Sequence, residues 1–426
     1  MKTTVLLDHE PVADGGYYVR ALLRIEGDPP EDEHRVPLNL SLVLDRSGSM
    51  AGPPLAAAIE AARTLVRRLR VEDTVSVVAY DGTVRVVAPP ATGEAQEDLA
   101  DRLGGIEPGG STNLSGGWLR GRDLVAENLR DGGVNRVVLL TDGLANRGIT
   151  DRASLVDLAG SAIRSGISTT TIGFGPHFDE DLLRAMADAG RGGAYYVEQV
   201  DQASEIFEEE LEGLLSLAAQ NVRVAVEAGA DAEFIKVAHA YPSHAEDGVL
   251  TVELGDLYAR EPRRLLMEFL IGPGVASGTE AHVVDLTVTA HVLVEPGQVE
   301  LHTITLPVTL SPEEGGKVDA TVRREALLLR AAEAREEALQ ARDRGDYEGG
   351  AATLRESLAA LEPMAAHDEQ LAEEVRDLEQ TAVLYDAQHL AASDVKYMKQ
   401  RARSTYRSKD SERERYRRTR GEDGGA

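Results

Sequence analysis

Three short segments of the chain carry acidic and hydroxyl side chains at spacings that suit a metal ion. The first is DRSGS, with Asp45, Ser47 and Ser49; the second is GGSTN, with Thr112; the third is TDG, with Asp142. Together they offer two carboxylates and three hydroxyls, and such hard oxygen ligands suit Mg²⁺, Mn²⁺ or Ca²⁺ rather than zinc or copper. With only two acids among five ligands, we expect the ion to keep an open position that a carboxylate from a partner would fill.

The elements around these segments predict a sheet that brings all three loops to one edge. Residues 38–44 and 135–140 are short apolar runs, typical of strands that are buried on both faces of a parallel sheet. Strand and helix signals alternate up to a last helix predicted at residues 201–217. This alternation predicts an α/β fold with a doubly wound, mostly parallel sheet and helices on both faces. Open α/β sheets place their sites at the carboxyl ends of the strands, where the three segments should meet.

In its motifs and its order of elements, the region from about residue 38 to residue 217 resembles the von Willebrand factor A family. The flanking sequences LVLDRSGSM, GGSTNLSGG and LLTDG are all typical of that family. The resemblance implies a metal-ion-dependent adhesion site made of Asp45, Ser47, Ser49, Thr112 and Asp142. It also implies that the bound cation, Mg²⁺ or alternatively Mn²⁺ or Ca²⁺, receives a Glu or Asp of a partner protein.

No other pattern in the sequence predicts a catalytic or cofactor-binding site. There is no G-x-x-x-x-G-K-[ST] phosphate loop, and no pair of histidines has the H-x-x-x-H spacing of a zinc site. A phosphatase on a similar sheet would use a second acid two residues after its nucleophilic Asp, as general acid. This chain has Ser47 at that position. We therefore assign no catalytic residues and predict that the protein is not an enzyme.

The rest of the chain predicts a multidomain arrangement around the α/β domain at residues 37–218. Residues 1–36 include a strand with no place in that sheet, which we predict to pair with a β-sandwich-like domain at residues 219–312. The α/β domain is then an insertion in the β-sandwich. Residues 318–392 predict a helical hairpin region, and residues 393–426 a basic, partly disordered tail.

Composition limits the protein's setting and partners. The formal net charge of −28 argues against binding of the whole chain to nucleic acid or to an anionic membrane. No apolar stretch reaches the roughly 18 residues that a membrane helix needs. The chain has no cysteine, which excludes disulfides and thiolate metal sites. Because the N-terminal apolar run is short and acidic residues follow it, we predict a cytoplasmic protein.

These observations favour a cytosolic adaptor or scaffold that binds an acidic residue of a partner through its cation. The overall pattern resembles bacterial A-domain proteins, which implies a MoxR-type AAA+ ATPase system as a partner class. Two alternatives remain open: a metal-assisted phosphohydrolase, and a self-assembling structural protein whose protomers are bridged by the metal. For the basic tail, the alternatives to a solvated extension are an electrostatic clamp on acidic surface or a weak nucleic-acid contact.

Overall fold

The structure is a computed structural model of the 426-residue chain. It describes residues 1–13, 15–28, 36–93, 95–130, 133–175, 178–197, 206, 217–259, 262–295 and 298–408.

The strands in the described part of the chain are β1 (Lys2–Pro11), β2 (Tyr17–Glu26), β3 (Leu38–Asp45), β4 (Thr74–Tyr80), β5 (Val84–Ala91), β6 (Val134–Thr141), β7 (Ile167–Phe174), β8 (Arg191–Val197), β9 (Leu217–Ala228), β10 (Ala232–Val237), β11 (Ser243–Glu246), β12 (Val249–Tyr258), β13 (Arg263–Ile271), β14 (Ala281–Glu295) and β15 (Gln298–Leu310). The helices are α1 (Pro53–Arg68), α2 (Ala95–Leu103), α3 (Leu114–Ala126), α4 (Arg152–Ile163), α5 (Glu180–Ala189), α6 (Ala320–Asp343), α7 (Tyr347–Ala365), α8 (Glu369–Asp386) and α9 (Ala392–Tyr406).

The chain divides into two compact units, and one of them interrupts the other. One unit comprises residues 1–28, 219–291 and 301–426; the second comprises residues 29–218 and 292–300. The second unit holds the α/β sheet, and the first holds the antiparallel sheets and the C-terminal helices. The fold class predicted from the sequence is confirmed.

The second unit is built on a six-stranded sheet in the order β5-β4-β3-β6-β7-β8. Neighbouring strands from β4 to β8 run parallel, and β5 pairs antiparallel with β4 at one edge. Every residue of β3 and β6 is buried, as the apolar runs predict for strands covered on both faces. Helix α2 is an addition that the sequence pattern did not predict. The closing helix predicted at residues 201–217 falls almost entirely outside the described residues.

One face of this sheet packs against α3, α4 and α5 in a single apolar core. Trp118 of α3 is fully buried there, and its indole N–H donates to Thr169 Oγ1 at 3.2 Å. Its indole ring is therefore anchored in the core of this unit.

Helix α3 lies unusually close to the sheet, and this fixes the loop that precedes it. A Cβ on Gly121 would come within 2.4 Å of Val43 Cγ2, and one on Gly117 within 2.5 Å of the Tyr80 ring. Only glycine permits this approach. Asn113 caps the helix, its side chain accepting from the backbone N–H of Gly116 at 3.0 Å. The residue before the cap is therefore held against the carboxyl ends of the strands.

The first unit contains a four-stranded sheet, β1-β2-β13-β10, and a five-stranded sheet, β11-β12-β9-β14-β15. Strand β2, the segment for which the sequence predicts pairing with the β module, hydrogen bonds antiparallel to β13. Its other neighbour is β1, a strand that the sequence analysis did not predict. Leu22 and Leu266 of the four-stranded sheet pack against Val322 and Leu329 of α6.

The helical region departs from the predicted hairpin and tail. Four helices, α6 to α9, pack around one apolar core. The segment expected to begin a basic tail forms α9, which packs against α6. Arg401 of α9 and Arg335 of α6 both bind the buried carboxylate of Glu374, and this ion pairing explains how a basic segment can be buried. Residues 409–426 lie outside the described residues. None of the described helices is both long and apolar enough to cross a membrane.

Candidate functional site

Asp45 ends β3 and anchors the first loop of the site. Its carboxylate is fully buried. Oδ1 accepts the backbone N–H of Ser47 at 2.8 Å, and Oδ2 accepts the hydroxyl of Thr141 at 2.6 Å. The first bond shapes the turn after the strand, as Asp commonly does. The second fixes the carboxylate against the neighbouring strand β6.

Ser49 joins the first loop to the loop after β6. Its hydroxyl lies 3.2 Å from Ser47 Oγ and donates to Asp142 Oδ1 at 2.7 Å. Ser47 is buried, whereas Ser49 is exposed. The hydroxyls and the carboxylate therefore form a continuous group of oxygens that runs from the interior to the surface.

Thr112 completes the group from the second loop. A Cβ built on Gly143 would lie 3.4 Å from Thr112 Oγ1 and 3.7 Å from Ser49 Oγ, so both hydroxyls face the same small space. Asn146 holds this loop with two hydrogen bonds. Its side-chain Oδ1 accepts the backbone N–H of Thr112 at 2.8 Å, and its backbone N–H donates to the Thr112 carbonyl at 3.1 Å. The structure thus brings together all five residues that the sequence singles out.

Asp81 is a supporting residue that the sequence analysis missed. Oδ1 accepts from the backbone and the hydroxyl of Thr83 and pairs with Arg46 of the first loop at 3.1 Å. Oδ2 accepts the N–H of Gly110 in the second loop at 3.1 Å. Burial opposes its ionisation, but these bonds and the charge of Arg46 outweigh that and lower the pKa of Asp81 to about 2. Asp81 therefore ties two of the three site loops together as a carboxylate.

The electrostatics of the site favour a cation. Burial raises the pKa of Asp45, and the nearby charge of Asp142 adds to this, although bonds from Thr141 and Ser47 oppose it. Burial and the same two carboxylates raise the pKa of Tyr80, whose hydroxyl donates to the Leu140 carbonyl. Burial and the repulsion between Asp45 and Asp142 therefore make ionisation of Asp45 unfavourable. A divalent cation between the two carboxylates would offset this free-energy cost.

The chemistry of the ligands fits a hard divalent ion. All the clustered side chains present oxygen, two of them as carboxylates, which suits Mg²⁺, Mn²⁺ or Ca²⁺. Nowhere in the described part of the chain, this site included, do three or more His, Cys, Asp or Glu gather to hold a metal. The site instead combines two carboxylates with three hydroxyls. The strongest candidate for a metal centre is therefore this edge of the sheet.

Comparison with known proteins places the α/β region in a family. The family model of the von Willebrand factor type A domain matches residues 39–209. A protein from Synechocystis, sll0103, is 28% identical over 375 residues, which cover 84% of this chain and 86% of that protein. Similarity to this relative therefore extends well beyond the α/β region.

Two solved structures share the fold over most of the chain. The von Willebrand factor type A structure from Catenulispora acidiphila has a TM-score of 0.68 at 19% identity and covers 88% of each chain. The ArnB paralog VWA2 from Sulfolobus acidocaldarius has a TM-score of 0.55 at 17% identity, over 95% of this chain and 97% of that chain. At these identities the likeness concerns the fold alone.

Proposed function

Because residues 39–209 form a von Willebrand factor type A domain, we propose that this domain binds a partner protein through a divalent cation. Domains of this type are generally metal-dependent protein-interaction modules. The ligands proposed here are Asp45, Ser47, Ser49, Thr112 and Asp142. The ion supplies a Lewis-acidic position that a partner's Glu or Asp carboxylate completes.

The observation that carries the proposal is the convergence of oxygens from three loops. Ser49 contacts both Ser47 and Asp142, and it shares with Thr112 the space in front of Gly143. Asp45 is fixed behind them by two hydrogen bonds. A set of purely structural turn residues has no need to gather two carboxylates in one place, because their repulsion is costly without a cation.

The setting we propose is a cytosolic adaptor or scaffold, in which the antiparallel sheets and the helical region support assembly. A MoxR-type AAA+ ATPase system is the partner class that the sequence resemblance implies. The candidate metal site supports the requirement for an acidic partner residue.

A pull-down with the full chain tests the interaction. The bait is presented in Mg²⁺ or in chelator, as wild type, Asp45→Asn, Thr112→Ala and the control Ser165→Ala. Ser165 is exposed and lies between α4 and the start of β7, at the amino ends of the strands and therefore away from the candidate site. We expect the wild type and the control to retain partners in Mg²⁺ and to lose them in chelator. Neither site variant should retain these partners in Mg²⁺. Partners that bind equally in every arm would contradict the proposal.

Two further measurements separate the alternatives. Phosphate release from p-nitrophenyl phosphate that disappears in Asp45→Asn would support a phosphohydrolase instead, a role for which Ser47 supplies no second acid. A mass measured by light scattering that falls to the monomer value in chelator would support metal-bridged self-assembly.

A further inference from the structure

The loop after Asp142 presents apolar side chains to solvent directly beside the candidate metal site. Leu144 is 57% exposed and Ile149 is 38% exposed. The loop is nevertheless fixed: the N–H of Arg147 donates to the Thr112 carbonyl at 3.1 Å, and the N–H of Ile149 donates to Ser115 Oγ at 2.8 Å. Leu144 is thus an exposed apolar side chain on an anchored loop that directly follows a proposed metal ligand, where a partner bound to the ion could bury it.

The same loop carries a positively charged side chain, Arg147, that no described carboxylate neutralises. The Arg147 side chain lies over Gly82, where a Cβ would be 3.6 Å from Nη1 and 2.7 Å from Ser111 Oγ. No carboxylate among the described residues lies within ion-pairing distance of Arg147. Arg46, on the first loop, is different, because it pairs with Asp81 and donates to the Glu107 carbonyl. Arg46 thus holds the loops together, whereas Arg147 has no carboxylate partner among the described residues.

These features specify the chemistry of the partner surface. Arg147 adjoins Thr112, one of the proposed ligands, and Leu144 follows Asp142 by two residues. The Arg147 guanidinium lies beside Gly82 and Ser111, the residue before Thr112, and so adds positive charge close to the proposed cation in a chain with a formal net charge of −28. With Leu144, it gives this patch of surface a positive charge and an exposed apolar side chain. A segment with two carboxylates and one apolar side chain complements this patch in charge and in hydrophobicity.

We propose that the site binds an acidic protein segment in which one carboxylate completes the metal coordination, a second pairs with Arg147, and an apolar side chain packs on Leu144. This inference rests on the proposed function, since it names the partner chemistry of the same site. Arg147 and Leu144 set specificity, and neither is a metal ligand.

Selection from a random 12-residue peptide library displayed on phage tests this assignment. The full chain is the bait, in Mg²⁺ or chelator, as wild type, Arg147→Glu and Leu144→Ala. The matched controls are Arg164→Glu and Val71→Ala, both exposed residues at the opposite edge of the sheet. From the wild type we expect Mg²⁺-dependent sequences with two acidic residues and one apolar residue.

The variants then separate this inference from the proposed function. We expect Arg147→Glu to replace the second acid by a basic residue, and Leu144→Ala to remove the apolar preference; both controls should select as the wild type does. For a peptide synthesised from the wild-type selection, Arg147→Ala should weaken binding about fivefold, the upper range for a solvent-exposed ion pair. Mg²⁺-dependent sequences with one acid, selected equally by every variant, would overturn this inference and leave the proposed function standing. No Mg²⁺-dependent selection at all would count against both.

Discussion

We expect Asp81→Asn to loosen the loops that hold the candidate metal site. Both carboxylate oxygens of Asp81 accept hydrogen bonds, Oδ1 from Thr83 and Arg46 and Oδ2 from Gly110. Asparagine has the same shape but only one acceptor oxygen, so in either orientation its NH₂ group faces an N–H donor. The substitution therefore removes the charge and leaves a poorly satisfied contact between two loops.

The size of the effect follows from the pKa. The side chain is 12% exposed, and its pKa of about 2 lies below the ordinary value for aspartate. That depression corresponds to about 2 kcal/mol of stability at pH 7. Because the folded pKa is the lower one, the contribution is complete above about pH 5 and is lost as the pH falls towards 2. At pH 3, about half of it remains.

Trp118 provides the assay, since it is the only tryptophan of the chain and is buried in the core of the α/β unit. Urea unfolding followed by its fluorescence should show Asp81→Asn less stable than wild type by about 2 kcal/mol at pH 7, with a smaller difference at pH 3. A difference below about 0.5 kcal/mol, the range of ordinary surface substitutions, would refute the argument that Asp81 ties the loops.

Two further substitutions test other parts of the structure. Gly143→Ala should weaken Mg²⁺ binding about tenfold in calorimetric titration, the lower range for changes around a metal site, because its methyl group enters the space shared by Thr112 and Ser49. Its contacts of 3.4 and 3.7 Å are ordinary, so urea stability without metal should change little. An unaltered Mg²⁺ affinity would place the ion elsewhere. Glu374→Ala should destabilise the helical region by roughly 3 kcal/mol, because Arg401 and Arg335 lose their shared carboxylate while Arg335 keeps its second partner, Asp377. Thermal unfolding followed by circular dichroism measures this, and a melting temperature equal to wild type would show that the buried ion pairs do not hold α9 in place.

The residues of the candidate site could be predicted from the sequence because each motif directly follows or precedes a strongly patterned element. Asp45 and Asp142 come at the ends of apolar strands, and the parallel topology brings those ends to one edge. The supporting residues carried no such signal. Asp81 looks like an ordinary turn residue in sequence, and its partner Gly110 is distant along the chain.

Strand β1 and helix α9 were not predicted because each buries charged residues, which a sequence pattern assigns to the surface. Strand β1 includes Asp8, a buried acid that pairs with Arg20 of the next strand and with Arg323 of the distant helix α6, so its sequence does not resemble that of a buried strand. The sequence of helix α9 is typical of a solvated basic tail, but in the structure Arg401 pairs with the buried Glu374. In both cases a tertiary ion pair determines burial, which local patterns cannot show.

The proposed function requires that the five oxygen ligands bind a divalent cation in the folded domain, and the dependence of stability on Mg²⁺ shows whether they do. In urea unfolding followed by Trp118 fluorescence, the wild type should gain about 1.4 kcal/mol for each tenfold rise in Mg²⁺ above the dissociation constant. Asp45→Asn and Thr112→Ala should show a weaker dependence or none, whereas Ser165→Ala should behave as the wild type does. A wild-type stability that is the same in chelator and in millimolar Mg²⁺, Mn²⁺ or Ca²⁺ would contradict the claim.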